Sequence, residues 1–297
     1  MVSHPQPSLL IIGGTGVVGS ALASEARHRG LQTIITSRNP RPGFWELDIA
    51  DAPSLERLRR LVGESGVTHC VFAAGAAGFH RCLADPVGTR AINVTAAFKV
   101  GRLLEKLEVE SLFLSSSSIY GHPTSPPSED KPANPCSEYG RQKHLLEVLL
   151  GDMTSARIVR LTKVVTGHDP RWMTWFETLR CGGSIDVFSG VTFAPLEASW
   201  TAGRILALLE APPRAVRNLS PPDEISYVEA TRLLGKSLGG LERQIRETRP
   251  ASDCEAGIHV GTTSVLGSEF DCDGPAPPRT LQVLESLFTN IASNLAR

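Results

Sequence analysis

The sequence predicts an α/β protein, in which a doubly wound parallel sheet is followed by a smaller C-terminal lobe. Short apolar runs alternate with helical patterns over the first 165 residues, which is typical of parallel strands covered by helices on both faces. A glycine-rich turn joins the first apolar run to the first helical pattern. After about residue 166 the alternation fades, and proline pairs interrupt the chain at 212–213 and 221–222. We therefore predict a first domain over residues 1–165 and a smaller mixed α/β lobe over residues 166–297.

The elements of the first domain are placed by apolar periodicity and by residues that begin or end helices. Asp51 is a suitable N-cap and Pro53 suits a first helical turn, while Gly30 ends the preceding helix. The predicted strands are Leu9–Ile12, Thr33–Thr36, Phe44–Leu47, Val67–Ala73, Leu112–Ser115 and Arg157–Leu161. The predicted helices are Val17–Arg29, Asp51–Val62, Val87–Leu107 and Glu138–Leu150.

The lobe shows helical patterns near residues 172–180, 201–211 and 226–238, and a last helix is predicted over Thr280–Leu295. Residues 248–279 are rich in Gly, Pro, Ser and Thr and give no prediction. Trp172 and Trp175 lie three positions apart on a predicted helix. This spacing favours a place in the core of the lobe over stacking on a ligand.

The composition argues against nucleic-acid binding and membrane insertion. The 30 basic and 31 acidic residues give a formal net charge of −1, without a basic excess. No apolar run approaches the roughly 18 residues of a membrane span. The six cysteines include no Cys-x-x-Cys pair, and neither His122 nor His168 is spaced like a metal ligand. We therefore expect a reduced cytoplasmic protein without a metal site.

Three glycines recur every third position between the first strand and the first helix. Missing side chains allow a tight turn and let a pyrophosphate approach the free N–H groups at the helix N-terminus. An ordinary glycine-rich turn would have the same composition, but here both flanking elements are in place. We predict that the turn binds a dinucleotide through Gly13, Thr15, Gly16, Val17, Val18 and Gly19.

The end of the second strand indicates which nicotinamide dinucleotide is bound. An acid there would hydrogen-bond a ribose diol, whereas a basic residue pairs with a 2′-phosphate. This chain has Ser37 where the acid is expected, and Arg38 follows. The arginine fork suits a phosphate, although a solvated surface arginine would give the same pattern. We favour NADP(H) and keep NAD(H) as an alternative.

Further contacts are expected at the ends of the next strands. Asp48, in Asp48-Ile49, is placed to accept a hydrogen bond from an adenine amino group or to cap a helix. The small residues Ala73-Ala74-Gly75 would let the cofactor lie against the strand ends. Arg81 suits either a diphosphate or solvent, and Lys163 is a candidate for the substrate cleft.

Tyr139 and Lys143 lie one helical turn apart, which places both side chains on one helix face. A free tyrosine has a pKa of about 10, too high for ready proton exchange at neutral pH. A neighbouring ammonium would favour tyrosinate and lower that pKa. A serine cluster, Ser115–Ser118, lies about twenty residues upstream and offers hydroxyls for a substrate oxygen. The set predicts a site that moves a proton on and off a carbonyl or alcohol oxygen.

These residues resemble those of the extended short-chain dehydrogenases/reductases, the NAD-dependent epimerase/dehydratase family. The resemblance is specific over residues 9–165 and weak beyond. The matching segments are the glycine turn, Asp48-Ile49, Ala73-Ala74-Gly75, Asn93, Ser115 to Gly121, Tyr139 to Lys143, and Arg160-Leu161.

The resemblance implies a Rossmann fold with a C-terminal substrate-binding lobe, often in a homodimer. It implies Tyr139 as the general acid/base and Lys143 as its electrostatic partner. It implies Ser116 as a hydrogen-bond donor to the substrate, with the neighbouring Ser117 and Ser118 as alternatives. It also adds Asn93, Tyr139 and Lys143 to the cofactor-binding set.

Members of this family act largely on nucleotide-linked sugars, so such a sugar is the expected substrate. The 4,6-dehydratases carry an acidic pair where this chain has Ser117-Ser118, which disfavours dehydration. Arg38 favours a reductase that uses NADP(H), and the layout resembles the dTDP-4-dehydrorhamnose reductase-like subgroup. Tyr120-Gly121 instead has the epimerase form. An NAD-dependent nucleotide-sugar epimerase and a non-catalytic NADP-binding regulatory protein are the alternatives.

Overall fold

The computed structural model describes residues 8–211, 215–249, 265–266 and 276–295 of the 297-residue chain. The elements up to β6 are β1 (Ser8–Ile12), α1 (Val17–His28), β2 (Thr33–Ser37), β3 (Trp45–Glu46), α2 (Ala52–Ser65), β4 (Val67–Phe72), α3 (Phe79–Ala84), α4 (Pro86–Arg90), a π-helical segment (Ala91–Ala96), α5 (Ala97–Lys106), β5 (Glu110–Ser116), a 3-10 turn (Ser117–Tyr120), α6 (Glu138–Leu150) and β6 (Ala156–Leu161). The later elements are β7 (Lys163–Val165), α7 (Pro170–Arg180), β8 (Ile185–Phe188), β9 (Thr192–Phe193), β10 (Pro195–Glu197), α8 (Ala198–Glu210), β11 (Val216–Leu219), β12 (Ile225–Ser226), α9 (Tyr227–Ser237), a second 3-10 turn (Glu242–Gln244), β13 (Ile245–Thr248) and α10 (Thr280–Leu295).

The central sheet has seven strands in the order β11-β6-β5-β4-β1-β2-β3, and all neighbouring strands are parallel. The predicted doubly wound parallel sheet is therefore confirmed. The chain first runs outward from β1 to β3 and then restarts on the other side of β1 with β4. In open α/β sheets, ligands bind at the carboxyl ends of the strands beside such a reversal. This places the expected site at the ends of β1 and β4.

Alternate residues of β1 pack against opposite faces of the sheet, as a strand with both faces buried requires. Leu9 and Ile11 belong to a core with α1 and α8, while Leu10 and Ile12 belong to a core with α2 and α5. All four side chains are almost completely buried. The unbroken apolar run in β1 therefore fixes the sheet between two helical layers.

The lobe has its own core, formed by α7, α9, α10 and the short strands between them. Trp172 lies at its centre with 1% of its surface exposed, and its ring contacts those of Trp175, Tyr227 and Phe288. The prediction that Trp172 belongs to the core is confirmed. Of the segment 248–279, only residues 248–249, 265–266 and 276–279 are among the described residues.

Two elements beyond residue 166 belong to the sheet and its helical layers. β11 pairs with β6 as the edge strand, and α8 packs on the sheet through Ile205 and Leu206 in the same core as Leu22 of α1. Arg29 of α1 also donates to the Gly203 carbonyl at 3.2 Å. The predicted division at residue 166 therefore differs from the observed packing. The local sequence pattern did not predict this packing, because the partner of a strand is set by whichever edge of the sheet is still unpaired.

The predicted helix over Val87–Leu107 is observed as α4, the π-helical segment and α5 in succession. The segment around Arg81, for which a loop was expected, forms the short helix α3. Within the described residues, no helix has both the length and the apolar content required to cross a bilayer.

Candidate active site

The glycine turn is built by contacts that leave no room for side chains. A Cβ on Gly19 would lie 2.1 Å from the Gly13 carbonyl oxygen, and one on Gly13 would lie 2.7 Å from Ala74. Gly13 also has a φ of +91°, in the region that favours glycine. Gly16 is the N-cap of α1 and has no side chain to cap its first amides. This cradle fits a pyrophosphate held by backbone N–H groups.

A crevice opens at the carboxyl ends of β1, β2 and β4. Ten of the predicted cofactor-binding residues line it: Gly13, Thr15, Gly16, Ser37, Arg38, Asp48, Ile49, Ala73, Ala74 and Gly75. Its lining also includes Arg81, a candidate for binding a diphosphate, and six residues without a predicted contact: Ile12, Thr36, Asn39, Leu47, Ala76 and Ile92. Most of these are immediate sequence neighbours of a predicted residue. The ends of the strands are therefore the feature of the sequence that could have identified them.

Six predicted cofactor-binding residues do not line this crevice: Val17, Val18, Gly19, Asn93, Tyr139 and Lys143. Val17 is 47% exposed at the first turn of α1, and Val18 packs against the core below. Gly19 faces Gly13 and shapes the turn from behind. For these residues a contact with the cofactor stays a prediction.

The crevice end at β2 has one guanidinium and one carboxylate. Ser37 is buried at the end of β2, and Arg38 extends from the next position into solvent. Asp48 accepts a hydrogen bond from the Ala50 amide at 2.9 Å through Oδ1. Asp48 therefore stabilises its own turn, and its second oxygen is available to a ligand.

Ser116, at the carboxyl end of β5, lies beside Tyr139 of α6, and its hydroxyl group acts to lower the pKa of the phenol. Ser116 is also 2.9 Å from the Ser118 hydroxyl. Ser137 caps α6 by accepting from the Gly140 amide at 3.1 Å. A Cβ at Gly140 would lie 2.4 Å from the Ser118 carbonyl oxygen, so the glycine after Tyr139 allows α6 to approach the serine turn. The predicted Ser116 and Tyr139 are thus brought together.

Lys143 lies one turn further along α6 and points into the protein. Its Nζ donates to the Leu114 carbonyl at 2.9 Å and lies 5.8 Å from the centre of the Tyr139 ring. Burial lowers the pKa of Lys143 to about 8, against opposing effects of Glu147 and Cys82. The lysine is on the expected helix face, but its ammonium is bonded to the strand rather than to the phenol.

The pKa of Tyr139 is raised to about 12, mainly by burial and secondly by Cys82, while the hydrogen bond from Ser116 acts in the other direction. The sequence analysis expected Lys143 to lower this pKa, and that expectation was wrong for the structure as it stands. Desolvation of the phenolate outweighs a lysine held away on Leu114.

A buried ion pair lies next to the face of α6 that carries Tyr139 and Lys143. Glu147, one turn beyond Lys143, pairs with Arg160 of β6 at 2.8 Å and accepts a hydrogen bond from Ser115. Arg160 also donates to Tyr120 Oη and to the Glu129 carbonyl. The sequence analysis noted Arg160 only as part of a resemblance and missed Glu147, although the spacing from Tyr139 to Lys143 to Glu147 repeats every four residues.

Asn93, for which a cofactor contact is predicted, holds the loop after β4. It lies in the π-helical segment, accepts from the Ala76 amide at 2.7 Å and donates to the Ala76 carbonyl at 3.0 Å. It also donates to Gln142 of α6 at 2.8 Å. A π-bulge at a functional site is a frequent observation. Here it aims an amide at a loop that lines the crevice.

The remaining candidates lie outside this cluster. Lys163 pairs with Asp169, the N-cap of α7, at 3.2 Å. His168 is exposed and lies 3.4 Å from Asn294 of α10. Among the described residues, no group of three or more His, Cys, Asp or Glu side chains is arranged to hold a metal ion.

The sequence matches the NAD dependent epimerase/dehydratase family over residues 9–171. The UDP-glucose 4-epimerase of Neisseria meningitidis serogroup C is 28% identical over 183 residues, which are 55% of this chain and 50% of that protein. The chain therefore spans about half the length of the curated relatives it matches.

Two solved structures have the same fold over nearly the whole chain. The UDP-glucose 4-epimerase from Thermotoga maritima, solved with UDP-glucose, superposes with a TM-score of 0.81 at 16% identity and covers 98% of this chain and 100% of its own. The dTDP-4-dehydrorhamnose reductase from Bacillus anthracis, in complex with NADP, has a TM-score of 0.80 at 15% identity, with 96% and 99% covered. The family match runs from β1 into α7 and includes the glycine turn, the serine cluster and the Tyr139–Lys143 face, so this chain belongs to the NAD-dependent epimerase/dehydratase family.

Proposed function

We propose that this protein is an oxidoreductase that uses NADP(H) to reduce a keto group on a nucleotide-linked deoxysugar. The observation that carries the proposal is the proximity of Ser116, at the end of the strand next to β4, to Tyr139 of α6. A carbonyl oxygen placed between these hydroxyls would accept a hydrogen bond from Ser116 and a proton from Tyr139. The nicotinamide of a bound cofactor supplies the hydride.

The protonation states of the site suit reduction. With a pKa near 12, Tyr139 is a phenol at neutral pH and has a proton to donate. Lys143, with a pKa near 8, carries a positive charge at pH 7. That charge stabilises the phenolate that remains after the proton has left. Lys143 itself is buried, which strengthens its electrostatic interaction with the phenolate.

The first prediction concerns Tyr139. Replacing Tyr139 by Phe removes the proton donor, and we expect turnover to fall by about 10³-fold or more while NADPH affinity changes little. The measurement is NADPH oxidation with a panel of dTDP-, UDP-, GDP- and CDP-linked keto sugars. Ser116→Ala should also lose activity. Ser117→Ala is the matched control and should keep it.

Unchanged turnover in Tyr139→Phe would contradict the assignment of the acid. Absence of turnover in the wild-type protein on every sugar nucleotide, with intact NADPH binding, would favour the non-catalytic NADP-binding regulatory protein.

The second prediction concerns Arg38. Arg38 lines the crevice beside Ser37, which stands at the position where a carboxylate would repel a 2′-phosphate. Replacing Arg38 by Gln should weaken NADPH binding by about tenfold, as loss of a charge-assisted hydrogen bond requires. NADH binding should not change. Arg41→Gln, an exposed arginine outside the crevice, is the control. Tighter binding of NADH than of NADPH by the wild-type protein would overturn the cofactor preference.

An NAD-dependent nucleotide-sugar epimerase is the second candidate. Curated relatives that match this chain are UDP-glucose 4-epimerases, and Tyr120-Gly121 has the epimerase form. An epimerase returns the hydride to the other face of the same sugar and keeps its cofactor. Protein that is purified with bound NAD, and that interconverts UDP-sugars without added cofactor, would favour this candidate.

A further inference from the structure

Two arginines line the crevice, and they reach it from opposite sides. Arg38 follows β2, while Arg81 lies on α3, which follows β4. Within the described part of the chain, neither guanidinium is engaged in an ion pair or a side-chain hydrogen bond. Asp48 is the one carboxylate among the described lining residues. Two uncommitted cations and a single acid make the crevice a place for a multiply charged anion.

The order of the strands in the sheet places the two arginines on different sides of the glycine turn. β1 lies between β2 and β4, so the glycine turn and the start of α1 lie between Arg38 and Arg81. The helix N-terminus is where a dinucleotide places its diphosphate. The glycine turn from Gly13 to Gly19 contains no lysine or arginine. Arg81 therefore lines the crevice on the side of the glycine turn opposite to Arg38.

The backbone that carries Arg81 is held at both ends. The Cys82 thiol contacts the Ala76 carbonyl at 3.4 Å, and Ala76 is itself held by both side-chain atoms of Asn93. The ring of Phe79 packs edge-on against the Tyr139 ring at 5.8 Å between centroids. A short helix fixed in this way presents Arg81 without a preceding loop movement. It also joins the crevice to the helix that carries the catalytic tyrosine.

From this placement, we propose that the Arg81 guanidinium binds the diphosphate of the dinucleotide cofactor and supplies the positive charge that the glycine turn lacks. This rests on the proposed function, since it takes the crevice to hold a nicotinamide dinucleotide. A nucleotide-linked sugar offers the same diphosphate chemistry. The cofactor is the assigned source because Arg81 shares one crevice with Gly16, Ser37 and Arg38.

The third prediction tests this assignment by binding alone, so no substrate is needed. Dissociation constants of NADPH, NADH, 2′-AMP and UDP are measured for the wild-type protein and for Arg81→Gln, Arg81→Lys and Arg38→Gln. Arg81→Gln should weaken NADPH and NADH by the same factor, about tenfold. It should leave 2′-AMP unchanged, because 2′-AMP has no diphosphate. Arg81→Lys should recover part of the loss.

Arg38→Gln should give the complementary pattern, weakening NADPH and 2′-AMP but not NADH. Arg90→Gln, an exposed arginine on the next helix and outside the crevice, is the control for surface charge. Thermal unfolding of each variant checks that the fold is retained.

The inference is overturned if Arg81→Gln changes neither dinucleotide, if it affects NADPH and 2′-AMP alone, or if it weakens UDP more than the dinucleotides. The last result would move Arg81 to the sugar nucleotide. Failure of the wild-type protein to bind either dinucleotide would overturn the proposed function together with the inference. Loss of the Arg81 effect alone overturns only the inference.

Discussion

The ammonium group of Lys143 is buried, and burial disfavours its charged form. Its Nζ is bonded to a strand carbonyl and shielded from solvent, while Glu147 on the same helix and the Cys82 thiol of α3 favour the ammonium. The balance leaves the pKa about 8, below its usual 10.5. The group can therefore lose its proton within the range in which enzymes are assayed.

The fourth prediction follows from this pKa. Lys143 is charged below pH 8 and becomes neutral as the pH rises, so it loses its attraction for an anionic cofactor. We expect NADPH affinity to fall above pH 8 by up to about tenfold per pH unit. Fluorescence titration of NADPH between pH 7 and 9.5 measures it. Lys143→Met should bind weakly at every pH and lack this dependence. A wild-type affinity that stays constant across the range would contradict the assignment.

The lowered pKa of Lys143 also affects the free energy of unfolding, which rises with pH where the cofactor affinity falls. Between about pH 8 and 10.5 the folded protein has lost the Lys143 proton, while the unfolded chain still binds it. The unfolded state then binds more protons, so this group makes the free energy of unfolding rise with pH in that window.

Between elements, the ion pair of Glu147 with Arg160 joins α6 to β6, and through Ser115 it also reaches β5. Both side chains are buried, with 8% of Glu147 and 7% of Arg160 exposed. Desolvation offsets much of the attraction in such a pair, but removing one partner leaves an uncompensated charge. The pair therefore holds the face of α6 that carries Tyr139 and Lys143 against the strand that ends at Ser116.

The fifth prediction tests this link. Glu147→Gln keeps the size and hydrogen-bonding capacity of the side chain but leaves the Arg160 charge unbalanced. We expect the free energy of unfolding in urea to fall by about 3 kcal/mol. Asp186→Asn breaks the exposed pair with Arg246, 2.9 Å long, and should cause no measurable change. Equal stability of Glu147→Gln and wild type would show that the buried pair does not hold these elements together.

Some elements could not be predicted because their signals are too short or too similar. α3 has six residues and follows a run of small residues, so no periodicity marks it. The π-helical segment is also six residues long, over which its pattern cannot be told from an α-helix. The contacts of the Asn93 side chain with Ala76 were likewise not predicted. The close approach of Gly140 to the Ser118 carbonyl oxygen also has no signal in the local sequence.

At the level of the whole molecule, the alternation of strands and helices was sufficient to predict the sheet from β1 to β6. The crevice follows from the same pattern, because parallel strands bring their carboxyl ends to one edge. The pattern did not predict which strands pair when they are far apart in the sequence. β11 joins β6 from more than fifty positions away, and neither its four residues nor the helix before it indicate that partner. The raised pKa of Tyr139 was not predicted for a related reason. Burial of the phenol depends on how the whole chain packs and not on the spacing of Tyr139 and Lys143 in the sequence.

The return of the chain to the sheet also limits how the protein can be divided. A fragment ending at residue 165 would lack β11, so β6 would present an open edge of unpaired backbone groups. It would also lack α8, and the apolar face formed by Leu9, Ile11 and Val159 would be partly uncovered. Such a fragment would tend to self-associate through that edge. The domain built on the central sheet is therefore discontinuous in the sequence, and a fragment that contains it must include residues 195–219.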